Sequence, residues 1–342
     1  HIRTRIPMTK EECKGIWVFA EQENGVLSGT DFELLAKAHD LKAKLGGTDT
    51  VTAVLLGDNV AGLADTLYAY GAEQVILAEN ANLKDYSARP YEKVLVDLAN
   101  KYKPSIFLFA ASPIGRDVAP RVMCDLRTGL TADAIDLDVD EDGVFVQTTP
   151  NFGGNILSHI VILEKRPQMV TVHPKVFEPF APKAGAAGEL ITESVEVEAD
   201  ADYVVLETSM KQFEGKPIDE CDVLVAGGRG IKSEEDLAQL RELAYLLGGE
   251  LACSRPLNDN GWMPHEDQIG QSGTTVKPKF ILNVAISGSV QYLAGMQNSG
   301  CIMSINHTAS APIYDVSHYG AVIDYRKVIP ALIAEIKARR AK

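Results

Sequence analysis

Twice in this chain a short apolar run breaks into small residues and passes straight into a helical pattern, and no other feature restricts the fold more. Residues 222–226 (DVLVA) run into Gly227-Gly228-Arg229-Gly230, and residues 280–285 (FILNVA) run into Ile286-Ser287-Gly288-Ser289. A short apolar run bounded by turn residues reads as a strand buried on both faces. Such a strand needs helices on both sides of its sheet, which is the doubly wound α/β plan.

The first half follows the same plan. Residues 16–20 (IWVFA), 51–56, 75–78 and 105–110 (SIFLFA) read as buried strands. Between them, Asp31 reads as a helix cap, with Leu34, Leu35, Ala38, Leu41 and Leu45 on one face and Gly46-Gly47 as the stop. Further helices are predicted through Leu63, Leu67 and Tyr70, and over 91–101. After Gly129 the pattern changes. Residues 128–149 and 160–172 read as strands, 180–188 is rich in Ala, Gly and Pro, and the acidic alternation of 189–202 reads as an edge strand entering a connector. In the second half, Ser233 with Asp236 caps a helix whose stripe is Leu237, Leu240, Leu243, Ala244 and Leu247. Residues 301–305 and 321–324 read as strands, and a basic amphipathic helix follows Pro330. We therefore expect an irregular head (1–12), an α/β domain (13–208) and a second α/β domain (209–342), with the linker reaching Glu220. The fold class is α/β, with two Rossmann-like parallel-sheet domains.

Charge and cysteine usage exclude several functions. Lys and Arg number 33 against 47 Asp and Glu, a net charge of −14. That balance argues against nucleic acid or an anionic membrane as the main partner. No apolar run is long enough for direct membrane insertion. The five cysteines (Cys13, Cys124, Cys221, Cys253, Cys301) are scattered and form no C-x-x-C pair. Neither a zinc ribbon nor a cysteine-bound iron–sulfur cluster is encoded, and reduced thiols fit a cytoplasmic protein. The histidines form no ligand spacing, so no metal site is predicted. There is no G-x-S-x-G, and no catalytic acid–base pair stands out. The head, from His1 to Lys10, is basic and starts without Met. We read it as what remains of something trimmed, or of a tag.

The turns carry the chemistry. Glycines after a strand let backbone N–H groups approach an anion, and Arg229 adds a fork of donors suited to phosphate. Ser287, Gly288, Ser289 and Gln291 could line a diphosphate in the same way. The polar loop Gln268-Ile269-Gly270-Gln271-Ser272 could fold over a planar ligand. Arg255, standing before Pro256, is expected to be extended and therefore directed. Each feature alone is also a plain connecting turn, a helix cap, a solvated loop or a surface ion pair. An NAD-dependent oxidoreductase, or an adenine-nucleotide-binding module, stays open on this fold, although no G-x-G-x-x-G with a later acidic residue is present.

In combination the segments are more specific. GGRGI (227–231), ACSRP (252–256), DQIGQSG (267–273), ISGSVQYLAGM (286–296), INHTASAPIYDVSHYG (305–320) and VID (322–324) stand in one order. WVFAEQENGVL (17–27), GRDVAPRVMCDLRTGLTAD (115–133), FGGNIL (152–157) and PQMVTVHP (167–174) accompany them. From about Ile16 onward the chain resembles the alpha subunits of electron transfer flavoproteins. The resemblance implies that the second domain binds FAD in an extended pose. Arg229 would contact FAD, and Ser254 and Arg255 would lie beside the isoalloxazine. The loop from Gln268 through Ile269, Gly270 and Gln271 would run along the ring, with Ser272 near its redox-active edge. Ser287, Gly288, Ser289, Val290 and Gln291 would hold the diphosphate, and Asn306 and Asp324 the adenosine half.

By the same resemblance the first domain would pack on a beta subunit and let the flavin domain swivel. The protein would relay electrons from a flavin-dependent dehydrogenase, acyl-CoA dehydrogenase-like or another, and transform no metabolite itself. The acceptor would be a quinone reductase or, in the bifurcating type, ferredoxin, with NADH as donor. Two residues depart from the family pattern. Tyr292 stands where His is common, and it is expected to donate a hydrogen bond near the flavin carbonyl without a histidinium's charge, which lowers the flavin potential. It leans, with the basic head, towards the bifurcating type. His173 stands where Arg is usual and is assigned no role.

Overall fold

The computed structural model describes residues 6–151, 156–209 and 215–340. Head residues 1–5, linker residues 210–214 and residues 152–155 of the FGGNIL motif lie outside the described residues. The chain divides into two compact units, His1–Thr208 and Ser209–Lys342.

The first unit is built on β1 (Ile16–Ala20), β2 (Val51–Gly57), β3 (Gln74–Glu79), β4 (Ile106–Ala110), β5 (Leu130–Ala134), β6 (Gln168–Val172) and β7 (Glu189–Ser194). They form one seven-stranded sheet, in the order β7-β3-β2-β1-β4-β6-β5, with every pairing parallel. Strand alternation sends Trp17, Phe19, Phe107 and Phe109 to one face and Ile16, Val18, Ile106 and Leu108 to the other. Helices α1 (Gly29–Lys44) and α2 (Ala64–Ala69) cover the second face, and α3 (Ala88–Tyr102) and α4 (Pro113–Leu126) cover the first.

Several expectations for this unit change. The α1 cap is Ser28, whose Oγ accepts from the Thr30 N–H. Asp31 is instead fully buried, its Oδ1 accepting the Glu21 N–H at 3.0 Å. Helix α4 was not anticipated, because Pro120 lies inside it. Ser112 caps it through the Gly115 N–H at 2.9 Å, and burial of Val118, Ala119 and Val122 outweighs the missing proline donor. Within the head, Met8–Thr9 pair antiparallel with Lys165–Arg166. The stretch 128–149 contributes β5 and two strands, Asp136–Val139 and Phe145–Asn151, of an antiparallel sheet completed by Ile156–Ile160.

The second unit is built on β8 (Val223–Gly227), β9 (Glu250–Cys253), β10 (Phe280–Val284), β11 (Cys301–Asn306) and β12 (Tyr319–Val322). The five strands are parallel, in the order β9-β8-β10-β11-β12. Helices α5 (Glu234–Leu246) and α8 (Tyr325–Arg340) pack on one face through Leu240, Leu243, Ile329 and Ile333. Ile281, Ile302, Ile313, Tyr292 and Met296 fill the other. The last helix starts at Tyr325 and runs through Pro330, since Tyr325, Ile329 and Ile333 recur every fourth residue as one buried stripe. The strand expected over 321–324 sits earlier, at β12. Strand β9 and the five-residue α6 (Arg255–Asp259) were not anticipated.

The strand order reverses between β8 and β10. In doubly wound sheets the crevice outside the carboxyl ends of the strands, at that reversal, is where ligands bind. Here it is formed by the two turns that the sequence singled out. Among the described residues, no helix is long and apolar enough to cross a membrane.

Candidate functional site

A cavity of about 400 Å³ opens over this switch point, within the size range of cofactor sites. It is lined by the β8 turn (Arg229), the β10 turn (Ile286 to Ser289), the start of α6 (Ser254, Arg255) and the loop 268–272. A second cavity of about 190 Å³ lies on the other side of the same two turns, lined by Gly230, Ala285, Asn306, Asp324 and Arg326 among others. Neighbouring residues in the chain face different cavities: Arg229 the first and Gly230 the second, Ile286 the first and Ala285 the second. An extended ligand crossing the two turns would reach both.

The two turns are bonded to each other. The Gly228 N–H donates to Val284 O at 2.9 Å and the Gly230 N–H to Ala285 O at 3.2 Å. A Cβ on Gly228 would stand 2.3 Å from Ala285 O, so only glycine allows this approach. The glycine amides expected to meet an anion are therefore spent on joining the turns. The free donors lie in the β10 turn. The amides of Ser287, Gly288 and Ser289 donate to no other protein group among the described residues. Gly288 makes this turn possible with φ +88°. Helix α7 (Val290–Ala294), capped by Ser289, is only five residues long, so its dipole adds little and the amides themselves carry the positive potential.

The loop 268–272 is pinned at both ends. The Ile269 N–H donates to Cys253 O at 2.8 Å, and the Gln271 N–H to Gln291 O at 2.8 Å. Buried Gln268 donates from Nε2 to Ser272 Oγ at 3.1 Å. Gly270 (φ +142°) lies against α7, where a Cβ would meet Gln291 O at 3.0 Å. Beneath the loop, burial above all pushes the Cys253 thiol up to about 12, with the Asp267 charge adding to it, so it stays a neutral packing group.

Arg229 is exposed and forms no ion pair among the described residues. Arg255 is not extended. It is the first residue of α6, because Pro256 suits the first helical turn, where its missing N–H costs nothing. Its guanidinium lies 3.4 Å from Asp259, a lining residue that the sequence reading missed although it stands four positions on. Ser254 precedes α6 yet makes no cap bond, so its hydroxyl stays free beside the cavity. Val290 is exposed and does not line the cavity. Asn306 and Asp324 line the second cavity, both already engaged: Asn306 Nδ2 donates to Ile286 O at 2.9 Å, and Asp324 Oδ1 accepts the Arg326 N–H at 3.0 Å. Lys232 and Arg326 beside them lie just outside the quoted motifs, and His307 lies within one but was assigned no role.

Tyr292 differs most from expectation. It is 4% exposed, and its hydroxyl donates to Asn283 Oδ1 at 2.5 Å, in the core. The residue lines the cavity, but its hydroxyl is engaged by Asn283. Burial holds the phenol well above its ordinary value, so it stays protonated. The hydroxyl is thus not turned towards a ligand, and the reading of a hydrogen bond to a flavin carbonyl loses its geometry.

Fold and site together define a nucleotide-cofactor-binding α/β protein: a switch-point cavity with free amides, a free guanidinium and a companion cavity across the turns. Comparison with known sequences is more particular. Residues 16–198 match the electron transfer flavoprotein domain, and residues 217–297 match the electron transfer flavoprotein FAD-binding domain. The chain is 42% identical, over 327 residues (95% of this chain, 98% of the relative), to the electron transfer flavoprotein subunit alpha of Thermoanaerobacterium thermosaccharolyticum. It is 44% identical over 335 residues (96% and 98%) to protein FixB of Clostridium saccharobutylicum. It is 38% identical over 333 residues (97% and 79%) to the lactate dehydrogenase (NAD(+),ferredoxin) subunit LctC of Acetobacterium woodii. The chain belongs to the electron transfer flavoprotein alpha-subunit family. The second unit contains the family's FAD-binding domain, and the cofactor is FAD. The donor set fits that cofactor: unspent amides and a cation for a diphosphate, and a pinned polar loop opposite for a planar ring.

Proposed function

We propose that this chain holds one FAD across the turns after β8 and β10 and relays its electrons as one subunit of a heterodimer. The observation that carries this is the pair of cavities flanking one amide-bearing turn, with Arg229 and Ile286 on one side and Gly230 and Ala285 on the other. When bound, FAD supplies reversible uptake of electrons. The chain supplies the rest. The Ser287, Gly288 and Ser289 amides and Arg229 hold the diphosphate. Loop 268–272 and Ser254 flank the ring and exclude water. Arg255, partly offset by Asp259, provides the positive charge that favours a reduced, more negative ring. Asn306 and Asp324 border the adenosine half. No side chain need move a proton for this role.

The first unit is the surface we assign to an electron transfer flavoprotein beta subunit. The partners are a flavin-dependent dehydrogenase and an acceptor, and we favour ferredoxin over a quinone reductase. The relative whose name joins lactate dehydrogenase activity to NAD(+) and ferredoxin supports that choice. In that reading the complex is of the bifurcating type. All five cysteines are unpaired, which supports a cytoplasmic setting. The test is NADH reduction of the purified complex. Reduction of a second flavin in the beta subunit, with ferredoxin reduced only when a second acceptor is present, is expected. Electron transfer to a quinone reductase without ferredoxin would contradict the bifurcating reading.

A further inference from the structure

A ring of hydrogen bonds, closed through the backbone between Ser287 and Tyr292, runs behind the cavity. Tyr292 Oη donates to Asn283 Oδ1 at 2.5 Å, and Asn283 Nδ2 donates to Ser304 Oγ at 3.1 Å. Ser304 Oγ meets Ser317 Oγ at 2.7 Å, and Ser317 Oγ donates to Ile313 O at 2.7 Å. Ser317 has one proton and spends it on Ile313, so Ser304 is the donor between the two serines. The Ile313 N–H then donates to Ser287 O at 2.9 Å, which returns the chain to the cavity. Tyr292, Asn283 and Ser304 are 4%, 1% and 0% exposed, so water cannot replace a lost partner. The ring begins on α7 and ends on the turn just before it. It spans β10, β11 and the 312–317 turn, and it has a single direction throughout.

We infer that Tyr292 is a positioning residue, which sets the free amides of Ser287–Ser289 through this ring and makes no polar contact with the ligand. Gly288 shows how little slack the turn has: a Cβ there would lie 2.4 Å from Ile313 N, the atom that closes the ring. If Ile313 shifts, the amides shift with it. Asn283 is the residue that makes tyrosine fit at 292, because an apolar side chain there would leave a buried hydroxyl without an acceptor.

This inference rests on the FAD reading above, and a double-mutant cycle separates the two. The full chain with its beta subunit is stripped of flavin and titrated with FAD, and the reloaded complexes are titrated for midpoint potential. Tyr292→Phe orphans Asn283 and is expected to raise the FAD Kd about tenfold. Asn283→Leu orphans the Tyr292 hydroxyl and is expected to do the same. The pair Tyr292→Phe with Asn283→Leu breaks the same ring twice and is expected to raise Kd no further than the larger single effect, about tenfold, because both losses act through one path. The midpoint potential should stay at the parent value in every variant. A double variant whose loss is the product of the two single losses, or a Tyr292→Phe variant with the parent Kd, overturns the inference. So does a shifted potential in Tyr292→Phe, since that would mean the hydroxyl acts on the ring directly. A parent complex that takes up no FAD would remove the functional reading itself.

Discussion

Replacing Gly288 with alanine tests whether the β10 turn is held in a ligand-ready shape. Gly288 sits at φ +88°, and its added Cβ would stand 2.4 Å from Ile313 N and 2.7 Å from Ile313 Cα. The left-handed backbone costs an alanine about 1–2 kcal/mol. Relieving the contact pushes Ile313 off Ser287 O and forfeits a hydrogen bond worth about 1 kcal/mol. The free chain sheds this strain by shifting the turn, and binding must shift it back. The affinity loss is therefore the sum, about 2–3 kcal/mol, or roughly 30- to 150-fold in Kd. FAD titration by fluorescence quenching measures it. Gly261→Ala is the control. Gly261 has φ +75° but no atom within 4 Å of the added Cβ, and it does not line the cavity. It should lose stability with an unchanged Kd. A Gly288→Ala variant whose Kd stays within about threefold of the parent would refute the reasoning.

Three further outcomes follow from the same structure. Arg229→Ala removes a free guanidinium and should weaken FAD binding about tenfold or more, with a shallower dependence on salt; an unchanged Kd over a salt series would contradict its role. Ala285 holds φ +56°, so Ala285→Gly relieves strain of about 1 kcal/mol while adding similar unfolded-state entropy. Its stability by chemical denaturation should stay within about 0.5 kcal/mol of the parent, and a larger loss would mean the Ala285 methyl is needed for packing. Asp31 is held well above its ordinary value by burial first, opposed by the Glu21 N–H and reinforced by the Glu21 charge. The folded chain thus binds this proton more tightly than the unfolded one. The stability it contributes is full below the ordinary value of about 3.9 and is lost as pH rises through the raised one. Asp31→Asn should flatten the fall in Tm as pH rises above about 3.9, and a Tm–pH curve parallel to the parent's would argue against it.

The central sheet strands were legible where they are apolar runs between turn residues. Residues 16–20, 280–284 and 301–306 needed nothing more than that. What escaped had a reason in each case. Helix α4 carries Pro120, a local signal against helix that core burial overrides. Strand β9 is only four residues long and opens on Glu250. The cap of α1 went to Asp31 because aspartate is a good cap in isolation, and its complete burial cannot be read from neighbours in sequence. The site was legible as a set of turns but not as their division of labour. Local sequence does not reveal that the Gly228 and Gly230 amides are consumed by the facing turn. Nor does it reveal that Tyr292 points inward, since that depends on Asn283 in strand β10. Asp259 was recoverable from its spacing to Arg255.

The most direct test of the central claim is the absorbance spectrum of the purified chain with its beta subunit, followed through stepwise reduction. Flavin bands that bleach on reduction, with one FAD assigned to this chain and lost in Gly288→Ala before any loss of fold, are the predicted result. A folded complex that binds nucleotide yet shows no flavin bands would contradict it, and the two turns would then serve another ligand.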